Sequence, residues 1–153
     1  MDVDLNGAAV SWAQLQAGDV FITSIVGRIT YCIKSHERDA VDAPSVTTLA
    51  PGAPEYGVPG DPDRPIFRLD DVRLVPVLST ALHGTADPPI GSVVVQGEKT
   101  YLMVSRSSRA RALRAKDGCL IGDLPKEPQI VFGEWQLLRR WAGVEEVLLP
   151  LPD

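Results

Sequence analysis

Through most of this chain apolar and polar residues alternate over short runs, and each run closes on glycine, proline or an Asp-Gly pair. That pattern predicts strands and turns, because strand side chains change face at every residue while glycine and proline end a run. Two runs match one another. The first reads Gly27-Arg-Ile-Thr30-Tyr31-Cys-Ile-Lys-Ser35 and the second Gly97-Glu-Lys-Thr100-Tyr101-Leu-Met-Val-Ser105, with Gly, Thr, Tyr and Ser at the same spacing. Upstream, Gly18-Asp19-Val20-Phe21-Ile22 matches Gly91-Ser92-Val93-Val94-Val95. Downstream, Asp70-Asp71-Val72-Arg73-Leu74 with Pro76 matches Glu145-Glu146-Val147-Leu148-Leu149 with Pro150. Three matched blocks in one order predict an internal duplication, with Gly27 and Gly97 reversing the chain in equivalent hairpins. Units spanning residues 10–78 and 88–152 are too small to bury much alone, so they are expected to pack together, with one shared core as the alternative to two.

The segments between the matched blocks differ. Val46-Thr-Thr-Leu49 reads as a short strand leading into an acidic loop at 50–65, where Pro51, Pro54, Pro59, Pro62 and Pro65 forbid a helix or a central strand. In the other copy, alternating Arg109-Ala-Arg111-Ala predicts a strand, with a helix as the alternative, and Asp117-Gly118 a type I′ hairpin turn into Cys119-Leu-Ile121. Trp135, Leu138 and Ala142 recur at helical spacing, with Gly143 as a stop, which predicts one short helix between Gly133 and Gly143. A further helical turn is expected at Ser11-Trp12-Ala-Gln-Leu15, with Ser11 as N-cap. The expected fold is therefore all-β with one short C-terminal helix, built as two small SH3-like or partly open barrels in pseudo-symmetric tandem.

Composition supports this picture. In 153 residues there are 13 Gly and 13 Pro, more than average usage, and a hydrophobic fraction of 44% suffices for a core. The N-terminal residues carry neither a basic region nor an apolar run, and no stretch approaches the length that spans a bilayer, so a cytoplasmic protein without membrane contact is expected. Cys32 and Cys119 each lie in apolar runs and read as buried free thiols.

Charge is uneven. Net charge is −5, yet Val104 to Lys116 holds five cations and no acid, leaving −10 for the rest. Residues 1–63 carry nine acids against three cations. Arg106, Arg109, Arg111 and Arg114, with Lys116, would project guanidinium groups suited to bidentate phosphate binding, or to an acidic protein surface. No aromatic residue is interleaved with them, as single-stranded nucleic acid recognition usually requires. Asp61-Pro-Asp63 resembles a carboxylate pair for a divalent cation, with Arg64 competing for it. His36 and His83 have no ligand or triad partners at a suitable spacing, and no catalytic, nucleotide or metal motif is present. The sequence thus predicts no catalytic residue, cofactor or metal.

Trp12-x-x-Leu15-x-x-Gly18-Asp19-Val20 and Gly91-Ser92-Val-Val-Val-x-Gly97-x-x-x-Tyr101 resemble segments of small uncharacterised β-rich proteins of actinobacterial phages. The resemblance implies a phage or prophage origin and assigns no site. The expected function is non-enzymatic: a protein-binding or assembly protein, with itself, a virion protein or a host protein as partner. A nucleic-acid or phosphate-ligand module using residues 106–116 is the alternative, and an enzyme with its site between the two units a third.

Overall fold

The computed structural model describes residues 7–58, 63–83 and 87–150. The protein is all-β. Its first half contains β1 (Gly7–Val10), β2 (Val20–Ile25), β3 (Arg28–Glu37), β4 (Ala40–Thr48), β5 (Glu55–Val58), β6 (Ile66–Leu69) and β7 (Val72–Pro76). The second contains β8 (Ala81–Leu82), β9 (Val93–Gln96), β10 (Lys99–Arg106), β11 (Arg109–Arg114), β12 (Cys119–Gly122), β13 (Ile130–Phe132), β14 (Trp135–Trp141) and β15 (Val144–Leu149). Two single 3₁₀ turns, Trp12–Gln14 and Leu78–Thr80, are the helical elements among the described residues. The first has Ser11 as N-cap, whose N–H donates to Gln14 Oε1 at 2.8 Å.

Twelve strands join one sheet, and β15-β14-β7 form a second of three. The halves are interleaved rather than merely adjacent. In the first half β3 pairs β4 and β4 pairs β5; in the second β10 pairs β11 and β11 pairs β12. Then each half's third strand crosses to the other: β5 lies parallel to β10 with Glu55 facing Ser105, and β12 lies parallel to β3 with Cys119 facing His36. The flanking hydrogen bonds correspond, Ser105 N–H to Pro54 O at 2.8 Å and His36 N–H to Gly118 O at 3.1 Å. Even the irregularities agree, since the β4–β5 and β11–β12 ladders break at Val46/Thr47 and Ala112/Leu113.

Between β7 and β14 the correspondence folds back on itself. Leu74 faces Leu137, Trp135 faces Pro76 and Val72 faces Arg139, so the ladder reads alike from either end. Two further bonds close it symmetrically, Val77 N–H to Glu134 O at 2.9 Å and Arg140 N–H to Asp71 O at 3.2 Å. An axis relating the two halves passes at the Leu74–Leu137 pair.

This correspondence differs from the sequence match in two places. Lys34 N–H bonds Asp19 O where Met103 N–H bonds Ser92 O, and Leu49 N–H bonds Tyr31 O where Ala115 N–H bonds Thr100 O. Tyr31 therefore corresponds to Thr100, and Cys32 to Tyr101, one residue out of step with the Thr-Tyr motif. A one-residue slip changes face. Tyr31 packs on the shared core, while Tyr101 is buried in a cluster belonging to the second half. Likewise, Val72 corresponds to Trp135 of β14 and not to Val147 of β15.

The core has three parts. The central cluster draws Ile33, Leu49 and Leu69 from one half and Leu102, Leu113, Trp135, Leu137 and Leu149 from the other. Phe21, Cys32 and Val46 form an outer cluster in the first half together with Ile66; Val94, Tyr101 and Ala112 occupy the corresponding positions in the second, where Val131 joins them. Each outer cluster lies on the far face of its half's sheet.

Three expectations are corrected. The helix between Gly133 and Gly143 is strand β14: Trp135 and Leu137 are buried on a two-residue alternation, and β7 and β15 pair with its two edges. A helix that short is marginal alone, so sheet pairing prevails. The Pro-rich segment 50–65 contains a strand after all, since β5 fits between Pro54 and Pro59 and buries Tyr56. The Asp117-Gly118 reversal is the four-residue connection Ala115–Gly118, held by Gly118 N–H to Arg114 O at 2.9 Å. The tight two-residue turn lies instead at Ser107-Ser108, with φ of 50° and 65°. At Gly27 the expected reversal is observed as Val26-Gly27, both with positive φ, and at Gly97 as Gly97-Glu98.

Two glycines allow the interleaving. Gly18 (φ +89°) lies against the second half and Gly91 (φ +91°) against the first; a Cβ on either would sit 2.8 Å from a carbonyl oxygen, of Lys116 and Gly52 respectively. Gly97 has open space around it. In urea denaturation, Gly18→Ala and Gly91→Ala are each expected to cost about 2–4 kcal/mol, from clash plus backbone strain. Gly97→Ala should cost about 1–2 kcal/mol, from strain alone.

Candidate functional site

The sequence-predicted residues do not converge. Arg106 and Arg109 face one another across the β10–β11 turn and share a face with Arg111, whereas Arg114 lies on the opposite face of β11. Three of these charges are met within the chain. Arg106 pairs with Glu37 and lies over the Tyr56 ring, 5.5 Å from its centroid. Arg111 is 3.6 Å from Asp123. Arg114 binds Asp117 through both Nε and Nη2, at 2.9 and 2.7 Å, which holds the Asp117 carboxyl below its ordinary range. Arg109 is exposed. Asp61 lies outside the described residues, Asp63 is exposed and Arg64 half-buried. Among the described residues no group of three or more His, Cys, Asp or Glu is placed to hold a metal ion.

Neither cysteine is set up as a nucleophile, which needs a lowered pKa. Burial pushes the Cys32 thiol up to about 12, against a smaller opposing effect from Arg64. Cys119 is also raised, by burial first and then by the Asp117 carboxylate, although His36 faces it across the β3–β12 ladder. Both thiols should stay unreactive toward a disulfide reagent at pH 8 and react fully in denaturant; fast labelling of the folded chain would contradict their burial.

The structure also holds a cleft of about 1060 Å³ that sequence reading did not find. Its floor is Gly18, Val20, Ile33, Val72, Leu74, Ala115 and Leu137, and its rim carries Arg73, Glu98, Lys99, Arg114, Lys116, Asp117 and Glu127. Of the basic segment, only Arg114 and Lys116 reach it. The rim is mixed in sign, with four cations and three acids, and the floor is apolar.

The correspondence between the halves explains the cleft. Opposite Gly91 stands Trp135, only 4% exposed, whose indole N–H donates to Gly91 O at 3.0 Å. Opposite Gly18, the corresponding residue is Val72. Where Leu49 is buried on the filled side, the cleft has Ala115, and where Tyr31 packs, it has Thr100. Three large side chains are thus matched by three small ones. Beyond them, β15 covers the outer edge of β14 and drives Leu148 and Leu149 into the core, whereas β7, the corresponding strand, ends its sheet with an edge that is unpaired among the described residues. Burial raises the Tyr31 phenol above its ordinary pKa, with Arg139 and Glu146 acting on it in opposite directions, which places Tyr31 beside β14 and β15. Thr100 holds the corresponding place beside β7.

Among the described residues, no helix is long and apolar enough to cross a membrane. Compared with known protein families, curated proteins and solved structures, the chain matches none. Fold and site together define an all-β protein of two interleaved halves, with one flank closed and the other open.

Loss of the filled side and filling of the open side should have opposite consequences. Trp135→Val is expected to cost about 3 kcal/mol in chemical denaturation, from lost burial and the cavity left behind. Val72→Trp, placing an indole where the cleft has room for one, should cost no more than about 0.5 kcal/mol.

Proposed function

We propose that this chain is a non-enzymatic protein-binding module that takes an extended segment of a partner protein into the cleft beside Val72. The observation that carries this reading is the contrast between the flanks. The closed flank is filled by Trp135, Leu49 and the strand β15, all protein groups, so the open one is shaped for protein groups of the same kind. Its volume and apolar floor suit a few side chains, and ligand sites are typically concave, largely apolar and preformed. A tandem duplication followed by divergence of the filling residues accounts for both the matching ladders and the open flank. The sequence resemblance to phage proteins favours a partner in a virion or host-directed complex.

The phosphate reading gains less support. Arg106, Arg111 and Arg114 each have an acidic partner within the chain, and three acids stand among the four cations of the cleft rim. Selection from a random linear peptide library tests the proposal. The wild-type chain should enrich an apolar motif whose affinity falls at least tenfold on Val72→Trp and changes little with salt. Failure to enrich any motif, or equal binding by the variant, would contradict it. Steep salt dependence would instead indicate phosphate-type contacts.

A further inference from the structure

We infer that the segment binds by strand addition, pairing antiparallel with the open edge of β7 as β15 pairs with β14. This rests on the cleft being a protein-binding site and adds the backbone chemistry of its occupant. Val77 N–H points into the sheet, toward Glu134 O, so the alternation of a strand turns Val75 and Arg73 inward as well. Val72 and Leu74 therefore turn their N–H groups outward, and both residues line the cleft. The same alternation turns Pro76 outward, where it has no N–H to give. An unpaired edge is a template for another strand, and proline commonly stops such pairing.

Pro76 thus limits the added strand to the Val72–Leu74 stretch and leaves it short. Side chains on one face of that strand would enter the hollow bounded by Gly18, Val72 and Ala115, where Trp135 and Leu49 stand on the closed flank. The chain supplies its own example of a suitable occupant. Val144–Leu149 lies antiparallel on β14, buries Leu148 and Leu149, and sets Glu146 on Arg139 at 2.7 Å. The occupant is thereby an extended, apolar-centred segment with polar flanks, recognised by its backbone as much as by its side chains.

The test uses the full chain, ¹⁵N-labelled, and the six residues Val144–Leu149 as an acetylated, amidated peptide. Saturable binding is expected, with hydrogen-exchange protection of the Val72 and Leu74 amides rising at least tenfold. A peptide N-methylated at alternate residues, which keeps the side chains but removes the edge-facing N–H groups, should bind at least tenfold more weakly. Equal binding of the N-methylated peptide would overturn strand addition while leaving segment binding intact. If neither peptide binds but library-derived peptides do, the inference that β15 exemplifies the occupant is wrong. Self-association at high protein concentration that Val72→Trp abolishes would identify a second copy as occupant and overturn the partner segment.

Discussion

The exchange of third strands between the halves is the constraint on which the rest of the structure depends. β5 pairs with β10 and β12 with β3, so each half finishes its hydrogen bonding only in the presence of the other. Gly18 and Gly91 permit the close approach this needs, and the symmetric β7–β14 ladder joins the halves again at the Leu74–Leu137 pair. The central cluster follows from that arrangement, because interleaved sheets turn one face of each half toward the other. Small sheets gain too little burial to be stable singly, and the exchange pools their apolar area.

Within this frame, function is expected where the correspondence fails. Two halves with the same ladders would fill two equivalent flanks alike. One flank is filled with Trp135, Leu49, Tyr31 and β15, while the other has Val72, Ala115 and Thr100 and a strand edge that none of the described residues pairs. A buried tryptophan and a buried leucine each stabilise a core by about 1.5–3 kcal/mol or more. Keeping small residues at the matching positions gives up that stabilisation, a pattern common where a surface is retained for a partner.

Much of the fold was legible in the sequence and the site was not. Alternating apolar positions and the turn glycines Gly27 and Gly97 mark β2, β3, β9 and β10, since these are local properties of strand and hairpin. β14 was not legible: over so short a run Trp135, Leu137 and Leu138 satisfy both a helical and a strand period, and only the edges of β7 and β15 decide between them. β5 was hidden among prolines because its pairing comes from β4 and β10, distant in sequence or across a loop. The matched Thr-Tyr motifs indicate correspondence but misplace it by one residue, enough to send Tyr31 and Tyr101 to different clusters. The cleft depends on comparing Val72 with Trp135 and Ala115 with Leu49, and those pairs are defined only by register. The arginines stood out as a block of charge, yet Glu37, Asp117 and Asp123 answer them in space.

If the exchange of strands makes the halves one unit, they must open together. Native-state hydrogen exchange across a urea series, followed at the amides of β3 and β10, measures this directly, because the slowest amides report the opening of the unit that holds them. The structure predicts a single opening free energy and a single urea dependence for both strands. Two classes of exchange, segregated into first-half and second-half amides with different urea dependence, would contradict the interleaved fold and the account of the cleft that follows from it.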